Sequence, residues 1–208
     1  MREILALFDF CETLTTFQTL DRFLPLAGRH NPHFEASKNK ARRQAYAAMK
    51  KPYPRYESLI DLNLDRARIL AKKFLYDEII PGLRPALMKR LFYHQDAGHT
   101  VAIVSGGLAL YIEEFAKLYG IEHVVAVELE VREGLLSGDI EGIHTMQERK
   151  LYKLAQRLTL EDFDLRHSFA YSDCVSDIPL LSLVGNAYAV NCGRDLRWAE
   201  ILGFGVMG

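Results

Sequence analysis

The chain has 208 residues, a formal net charge of −1, 49% apolar residues and 25% charged ones. That balance suits one domain, or one with an insertion, and gives no global pull toward nucleic acid or a membrane surface. No apolar run approaches the ~18 residues of a membrane span. The N-terminus lacks the blocks of a secretory leader, and the three cysteines show no CxxC spacing. A cytoplasmic protein with reduced thiols and neither disulfide framework nor zinc site is therefore expected.

Residues 3–8 (Glu-Ile-Leu-Ala-Leu-Phe) are a short apolar run that stops at Asp9, as a buried parallel strand does. Residues 16–79 then carry helical periodicity, first at Phe17, Leu20, Phe23 and Leu24, later at Leu59, Leu62, Leu64, Ile69 and Leu70, with no clear strand. Pro81-Gly82 marks the return. Residues 83–97 predict a helix, and 101–104 (Val-Ala-Ile-Val) a strand ending in Ser105-Gly106-Gly107. A helix over 108–119 follows, then a strand and a β-hairpin over 124–143 with turn residues at Gly134 and Ser137-Gly138. A helix over 150–158 leads to a strand at 169–171 that ends in Ser172-Asp173. A short helix at 179–184 precedes the last expected strand, 187–190, which runs into Asn191-Cys192-Gly193. The alternation predicts the α/β class: a Rossmann-like parallel sheet flanked by helices, with 1–15 and 80–208 as the core and 16–79 as a helical insertion.

In open parallel sheets, ligands bind at the carboxyl ends of the strands. Those ends deliver Asp9, Ser105, Asp173 and the turn after Val190, and Lys150 opens the helix leading into the Asp173 strand. Two carboxylates converging there repel each other unless a cation sits between them. A small set of oxygen donors suits magnesium, which keeps waters and takes a substrate phosphate. The lysine and the Ser-Gly-Gly loop at a helix start complete an oxyanion cradle. An aspartate or serine at such a place also serves as a plain helix cap, so the residues alone leave that reading open for Ser105 and Asp177.

Four segments occur in order: Asp9-Phe10-Cys11-Glu12-Thr13-Leu14-Thr15, the strand ending Ser105-Gly106-Gly107, Lys150, and Asp173-Cys174-Val175-Ser176-Asp177. Together they resemble the four motifs of the haloacid dehalogenase-like hydrolases, in the phosphoserine-phosphatase-like branch with a helical cap, over essentially the whole chain. The resemblance implies a magnesium-dependent phosphatase of a small phosphorylated metabolite. Asp9 would attack phosphorus and form an aspartyl-phosphate. Mg2+ would be held by Asp9, Asp173 and the main-chain carbonyl of Cys11, with Asp177 orienting Lys150 or a metal-bound water. Ser105 and the N–H groups of Gly106 and Gly107 would hold phosphoryl oxygens. Lys150, favoured over Arg149 by its spacing to Asp173, would neutralise charge.

The chain departs from the family at Cys11, where most of these phosphatases carry the aspartate that protonates the leaving group and then activates water. A thiol of pKa near 8.5 is a poor acid for an alkoxide and a poor base at pH 7. Four readings follow: a phosphatase whose acid–base help comes from Glu12, a Cys11 thiolate or the substrate; an enzyme whose leaving group needs little protonation; a phosphotransferase or holder of a long-lived aspartyl-phosphate; and a catalytically silent phospho-ligand binding protein. Gln18 stands where phosphoserine phosphatases carry the glutamate that meets the substrate amino group, so phosphoserine is not the expected substrate. Between residues 38 and 55 lie Lys38, Lys40, Arg42, Arg43, Lys50, Lys51 and Arg55 with no acid, interleaved with Tyr46 and Tyr53 and followed by Tyr56. The stretch either draws an anionic substrate or is a solvated face balanced by acids elsewhere. His144 precedes Lys150 near the expected site, His30 and His33 belong to a loop, and Cys174 brings a second thiol toward Cys11.

Overall fold

The structure is a computed structural model that describes residues 2–208, with residues 36–39 described as backbone alone. Its centre is β1 (Leu5–Phe8), all four residues of which are buried. Successive strand side chains point to opposite faces, so Ala6 and Phe8 join one apolar cluster while Leu5 and Leu7 join another. A strand apolar on both faces needs cover on both, and that is why the run reads as continuous rather than alternating.

β1 pairs in parallel with β2 (Thr100–Leu108) on one side and with β6 (Phe169–Ser172) on the other. β3 (His123–Val127) lies outside β2, and β7 (Asn186–Val190) outside β6. A final strand, β8 (Gly205–Met207), closes the far edge, giving six parallel strands in the order β3-β2-β1-β6-β7-β8. β4 (Leu129–Arg132) and β5 (Leu135–Ile140) form a separate antiparallel hairpin. Between β1 and the next core helix lie α1 (Thr19–His30), α2 (Ala36–Ala48) and α3 (Leu64–Phe74). α4 (Pro85–Asp96) and α5 (Ala109–Leu118) cover the Phe8 face of the sheet. α6 (Arg149–Arg157) and α7 (Ile178–Leu181) cover the Leu7 face, through Leu154, Leu180 and Leu181. The short α8 (Arg197–Ile201) precedes β8. Among the described residues no helix is long and apolar enough to cross a membrane.

Three expectations change. The sheet does not end at β7: β8 adds an edge strand of three residues, too short to show a period against its glycines. The helix expected at 179–184 ends at Leu181. β2 does not stop at Ser105 but continues to Leu108, with a register shift between Val104 and Leu108. That irregularity lifts Ser105-Gly106-Gly107 out of the ladder without ending the strand.

The chain leaves and re-enters the core beside itself, where Thr15 bridges Leu83 and the Thr16 N–H donates to the Gly82 carbonyl at 2.8 Å. The hairpin is tied to the helical segment by Tyr56 N–H to Gly138 O at 2.7 Å and Leu136 N–H to Leu62 O at 2.9 Å. Gly138 has φ +85°, and a Cβ there would meet Ile60 at 2.6 Å, so the contact requires glycine.

His94 on α4 is fully buried, with Nε2 2.9 Å from the Tyr171 hydroxyl and Nδ1 2.8 Å from His99 Nδ1. Burial, then the neighbouring His99 and Arg90, pushes its pKa down from 6.5 to about 4. The unfolded chain binds this proton more readily than the folded one, so the histidine's contribution to stability is complete above about pH 6.5 and is lost as pH falls toward 4. Urea unfolding at about pH 7 and about pH 5 should show a larger loss of stability in the wild type than in His94→Gln. Equal losses would contradict this account.

Candidate active site

Beyond β1 the ladder is prolonged by one bond, from the Asp9 N–H to the Tyr171 carbonyl at 2.9 Å, which fixes Asp9 at the carboxyl edge of the sheet. Residues Phe10–Leu14 then form a single wide turn in which Glu12 adopts φ +58°, a left-handed conformation rare for glutamate. The turn brings Thr13 back under Asp9. Its hydroxyl lies 3.2 Å from Asp9 Oδ2 and 2.9 Å from Asp173 Oδ1, and it accepts the Asp173 N–H at 3.0 Å. A threonine has one hydroxyl proton, so it can satisfy one of the two carboxylates at a time.

Lys150, at the start of α6, donates to Asp9 Oδ1 at 2.8 Å and to Asp177 Oδ2 at 2.6 Å. Ser172 also donates to Asp177 Oδ2, at 2.6 Å. All of these side chains are buried, with Lys150 3% and Asp9 5% exposed. Burial pushes the Asp9 pKa up to about 7; Lys150 opposes that rise, while Asp177 and Asp173 add to it. For Lys150, burial disfavours the charged ammonium, but Asp9 and Asp177 outweigh it and hold the pKa above the ordinary lysine value. Asp173 is also raised by burial, with Thr13 opposing.

Ser105 is buried, and its hydroxyl oxygen accepts the Gly107 N–H at 3.1 Å. A Cβ on Gly106 would meet Met146 at 3.2 Å and the Thr145 carbonyl at 3.3 Å. On Gly107 it would meet Cys11 Sγ at 3.3 Å. The glycines thus allow the loop to lie between Cys11 and the 144–146 segment. Cys11 Sγ is 2.9 Å from the Thr19 hydroxyl and 3.9 Å from the Ser105 hydroxyl. Thr19 is 2.7 Å from the Tyr111 hydroxyl, which accepts the Leu108 N–H at 3.0 Å. Burial, then the negative charge of Asp9, pushes the Cys11 thiol up to about 11.

Asp9, Cys11, Gln18, Ser105, Gly106, Lys150, Asp173 and Asp177 all line one cleft of about 160 Å³. Gly107 stands behind Cys11 rather than on the cleft. Arg149 is exposed, so Lys150 is the member of the pair that turns inward. Cys174 lines the same cleft, yet all three thiols are free, and Cys174 Sγ lies 3.1 Å from the Ser176 hydroxyl. His144 does not line the cleft, although Met146 does. Its ring is buried, neither nitrogen has a hydrogen-bond partner among the described residues, and burial, with Arg55, Arg149 and Lys153 following, lowers its pKa to about 4. His30 is exposed at the end of α1, bonded to the Leu26 carbonyl at 2.9 Å. In the basic stretch Arg42 pairs with Asp61 at 3.3 Å and Arg43 with Glu57 at 2.7 Å, as a balanced surface does, while the Lys38 side chain lies outside the described residues.

Sequence reasoning did not single out Thr13, Thr19, Tyr111 or Arg194. Thr13 lies inside the first motif, and its hydroxyl was the available signal. Thr19 follows closely at the start of α1, while Tyr111 and Arg194 reach the site from across the fold. Arg194, on the loop after β7, donates to Asp173 Oδ2 at 3.0 Å and to Glu12, which also accepts from Gln18.

Among the described residues, no three His, Cys, Asp or Glu side chains close on one point as a metal cage. The cleft instead offers two carboxylates, Asp9 and Asp173, with one hydroxyl proton between them. Such a sparse oxygen set suits magnesium, which retains waters, and not zinc.

Residues 6–182 match the family model of the haloacid dehalogenase-like hydrolases. The chain is 31% identical over 136 residues to the inhibition of morphological differentiation protein of Streptomyces azureus, covering 65% of this chain and 49% of that one. It is 26% identical over 183 residues to the phosphoserine phosphatase of Methanocaldococcus jannaschii, covering 87% and 82%. It spans about half the length of several curated relatives that it matches. A solved protein of unknown function from Bordetella pertussis Tohama I superposes with a TM-score of 0.81 at 25% identity, covering 100% of this chain and 99% of that one.

Replacing Lys150 by methionine leaves Asp9 and Asp177 buried without their shared cation. Breaking such a pair from one side costs about 3 kcal/mol or more. Denaturant unfolding of Lys150→Met should show that loss, and Lys150→Met/Asp177→Asn should recover part of it. An unchanged midpoint in the single variant would contradict the pairing.

Proposed function

The chain belongs to the haloacid dehalogenase-like hydrolases, and on that footing we propose that it is a phosphatase that passes the phosphoryl group of a small phosphomonoester to Asp9 and then to water. The observation that carries the reading is the buried Lys150, 2.8 Å from Asp9 and 2.6 Å from Asp177, in a cleft shared with Ser105.

Asp9 is the nucleophile. Lys150 anchors one of its oxygens, and Thr13 shares its one proton between the other and Asp173, so the carboxylate is oriented before substrate arrives. Attack on phosphorus gives an aspartyl-phosphate, which splits one hard displacement into two. Ser105 accepts the Gly107 N–H, so its own proton is free for a phosphoryl oxygen. Asp177 positions Lys150. Asp9, Asp173 and the main-chain carbonyl of Cys11 would hold magnesium, which would supply the charge that lets an anionic nucleophile meet an anionic substrate.

Cys11 faces the leaving group. The Leu108 N–H donates to Tyr111, which leaves the Tyr111 proton for Thr19 and the Thr19 proton for the Cys11 sulfur. The chain of donors thus ends on sulfur and frees the S–H for the cleft. A thiol raised to about 11 keeps its proton near neutral pH, so it donates a hydrogen bond to the leaving oxygen, which takes its proton from solvent as the alcohol departs, but it does not deprotonate water. The first half-reaction is therefore served better than the second, and the aspartyl-phosphate is long-lived. The helices of residues 16–79 act as a cap over the cleft. Gln18 and Leu20 from that side and Met146 from the core give the leaving group uncharged surroundings.

Phosphate release from a panel of phosphomonoesters with Mg2+ tests this reading. Asp9→Asn should abolish it, and full activity in that variant would refute the assignment. Cys11→Asp should raise turnover on the order of 10²-fold, the usual worth of general acid–base help. Acid-quenched mass spectrometry should find phosphoaspartate on Asp9 in the wild type and less of it in Cys11→Asp. The opposite ordering would remove Cys11 from the second step.

A further inference from the structure

Both oxygens of Asp173 are already engaged. Oδ1 accepts from Thr13 at 2.9 Å, while Oδ2 accepts from Arg194 at 3.0 Å, with the Cys192 thiol at 3.7 Å. The second terminal nitrogen of Arg194 is bonded to Glu12. The sheet order explains how one guanidinium reaches both. β1 and β7 flank β6, so the turn carrying Glu12 and the loop carrying Arg194 stand on either side of Asp173 at the β6 end. The planar fork of arginine, with two separate nitrogens, spans that gap as a single ammonium cannot.

A carboxylate oxygen can take more than one partner, but a metal ion brought to Asp173 meets the Arg194 guanidinium charge at Oδ2, so the two cations compete there. Thr13 is fully buried and also holds the Asp173 N–H, so it is fixed in place. Arg194 is 49% exposed along its side chain and keeps Glu12 as an anchor when it lets go. Glu12 is in turn held by Gln18. We propose that Arg194 is a tethered counter-cation of Asp173 that competes with the divalent ion for that carboxylate, moving off Asp173 when metal binds while remaining paired with Glu12. The inference rests on the assignment of Asp173 to the metal in the proposed function.

Two consequences follow. The metal-free cleft is stabilised because Asp173 is not left as a bare buried charge. The metal's apparent dissociation constant is its intrinsic one divided by the fraction of molecules in which Arg194 has left Asp173. Guanidinium stays charged at all working pH values, so the competition is not switched by titration of the arginine.

Calorimetric titration with Mg2+ alone, without substrate, tests the proposal on the whole chain. Arg194→Gln should bind Mg2+ on the order of 10-fold more tightly than the wild type. Its metal-free thermal midpoint should be lower, and the gap should close at saturating Mg2+. Arg194→Lys keeps the charge without the two-nitrogen fork, and it too should bind Mg2+ more tightly than the wild type. Equal or weaker binding by Arg194→Gln overturns the competition. Wild-type affinity in Arg194→Lys shows that charge alone sets the value, and overturns the bridge. Asp173→Asn separates the two levels: it should lose Mg2+ binding, and if it binds as the wild type does, the metal assignment falls and takes the competition with it.

Discussion

The site depends on one ammonium group held out of water between two carboxylates. Lys150 gives up its hydration to sit against Asp9 and Asp177, and such burial is tolerated when each charge has its partner at close range. The geometry demands that three residues distant in sequence meet within hydrogen-bond reach. The parallel sheet achieves this because β1 and β6 are neighbours, so their carboxyl ends deliver Asp9 and the Asp173–Asp177 turn side by side, while α6 crosses one face and brings Lys150 in from above. The fold's apolar alternation and the site's charge pairing are thus one arrangement. Leu5 and Leu7 seat α6, and α6 seats the lysine.

Much of this was legible in the sequence, for physical reasons that differ by element. β1 and β6 announce themselves because a strand buried on both faces is a continuous apolar run cut off by polar residues, among them Asp9 and Asp173, which line the cleft. The order of the motifs then gives the topology, since parallel strands need helical crossovers. What the sequence hides is contact that no period encodes. Arg194 meets Glu12 across 182 positions, through a loop whose composition resembles any other turn. β8 is three residues with two glycines within reach of it. His144 precedes Lys150 near the expected site in sequence, yet the same loop turns it away from the cleft and presents Met146 instead. The basic stretch shows the reverse error risk: a run without acids in sequence is paired with Glu57 and Asp61 in space.

Cys11 stands where the resemblance implies an aspartate, and its surroundings accommodate the thiol. An aspartate there would add a further carboxylate beside Asp9, whose pKa burial and like charges have already raised. A thiol adds none. Tyr111, fully buried and aligned by a backbone donor, directs its hydroxyl through Thr19 to the sulfur. A buried hydroxyl pair of this kind is costly unless every member is satisfied, and here the sulfur is the acceptor that completes it. Restoring an aspartate would replace a weak acceptor by a strong one, tightening the same chain.

The charge count of the cleft ties these strands together. Asp9, Asp173 and Asp177 line the cleft with Lys150, while Glu12 and Arg194 meet beside it, so carboxylates outnumber the cations bonded to them. That excess of negative charge is met in several ways. The Asp9 pKa rises to about 7, so that a proton can stand in for positive charge. Thr13 lends its single proton between Asp9 and Asp173. Arg194, on an exposed loop, reaches over the rim to the remaining oxygen of Asp173. These three features act on the same two carboxylates, Asp9 and Asp173, which the proposed function assigns to magnesium.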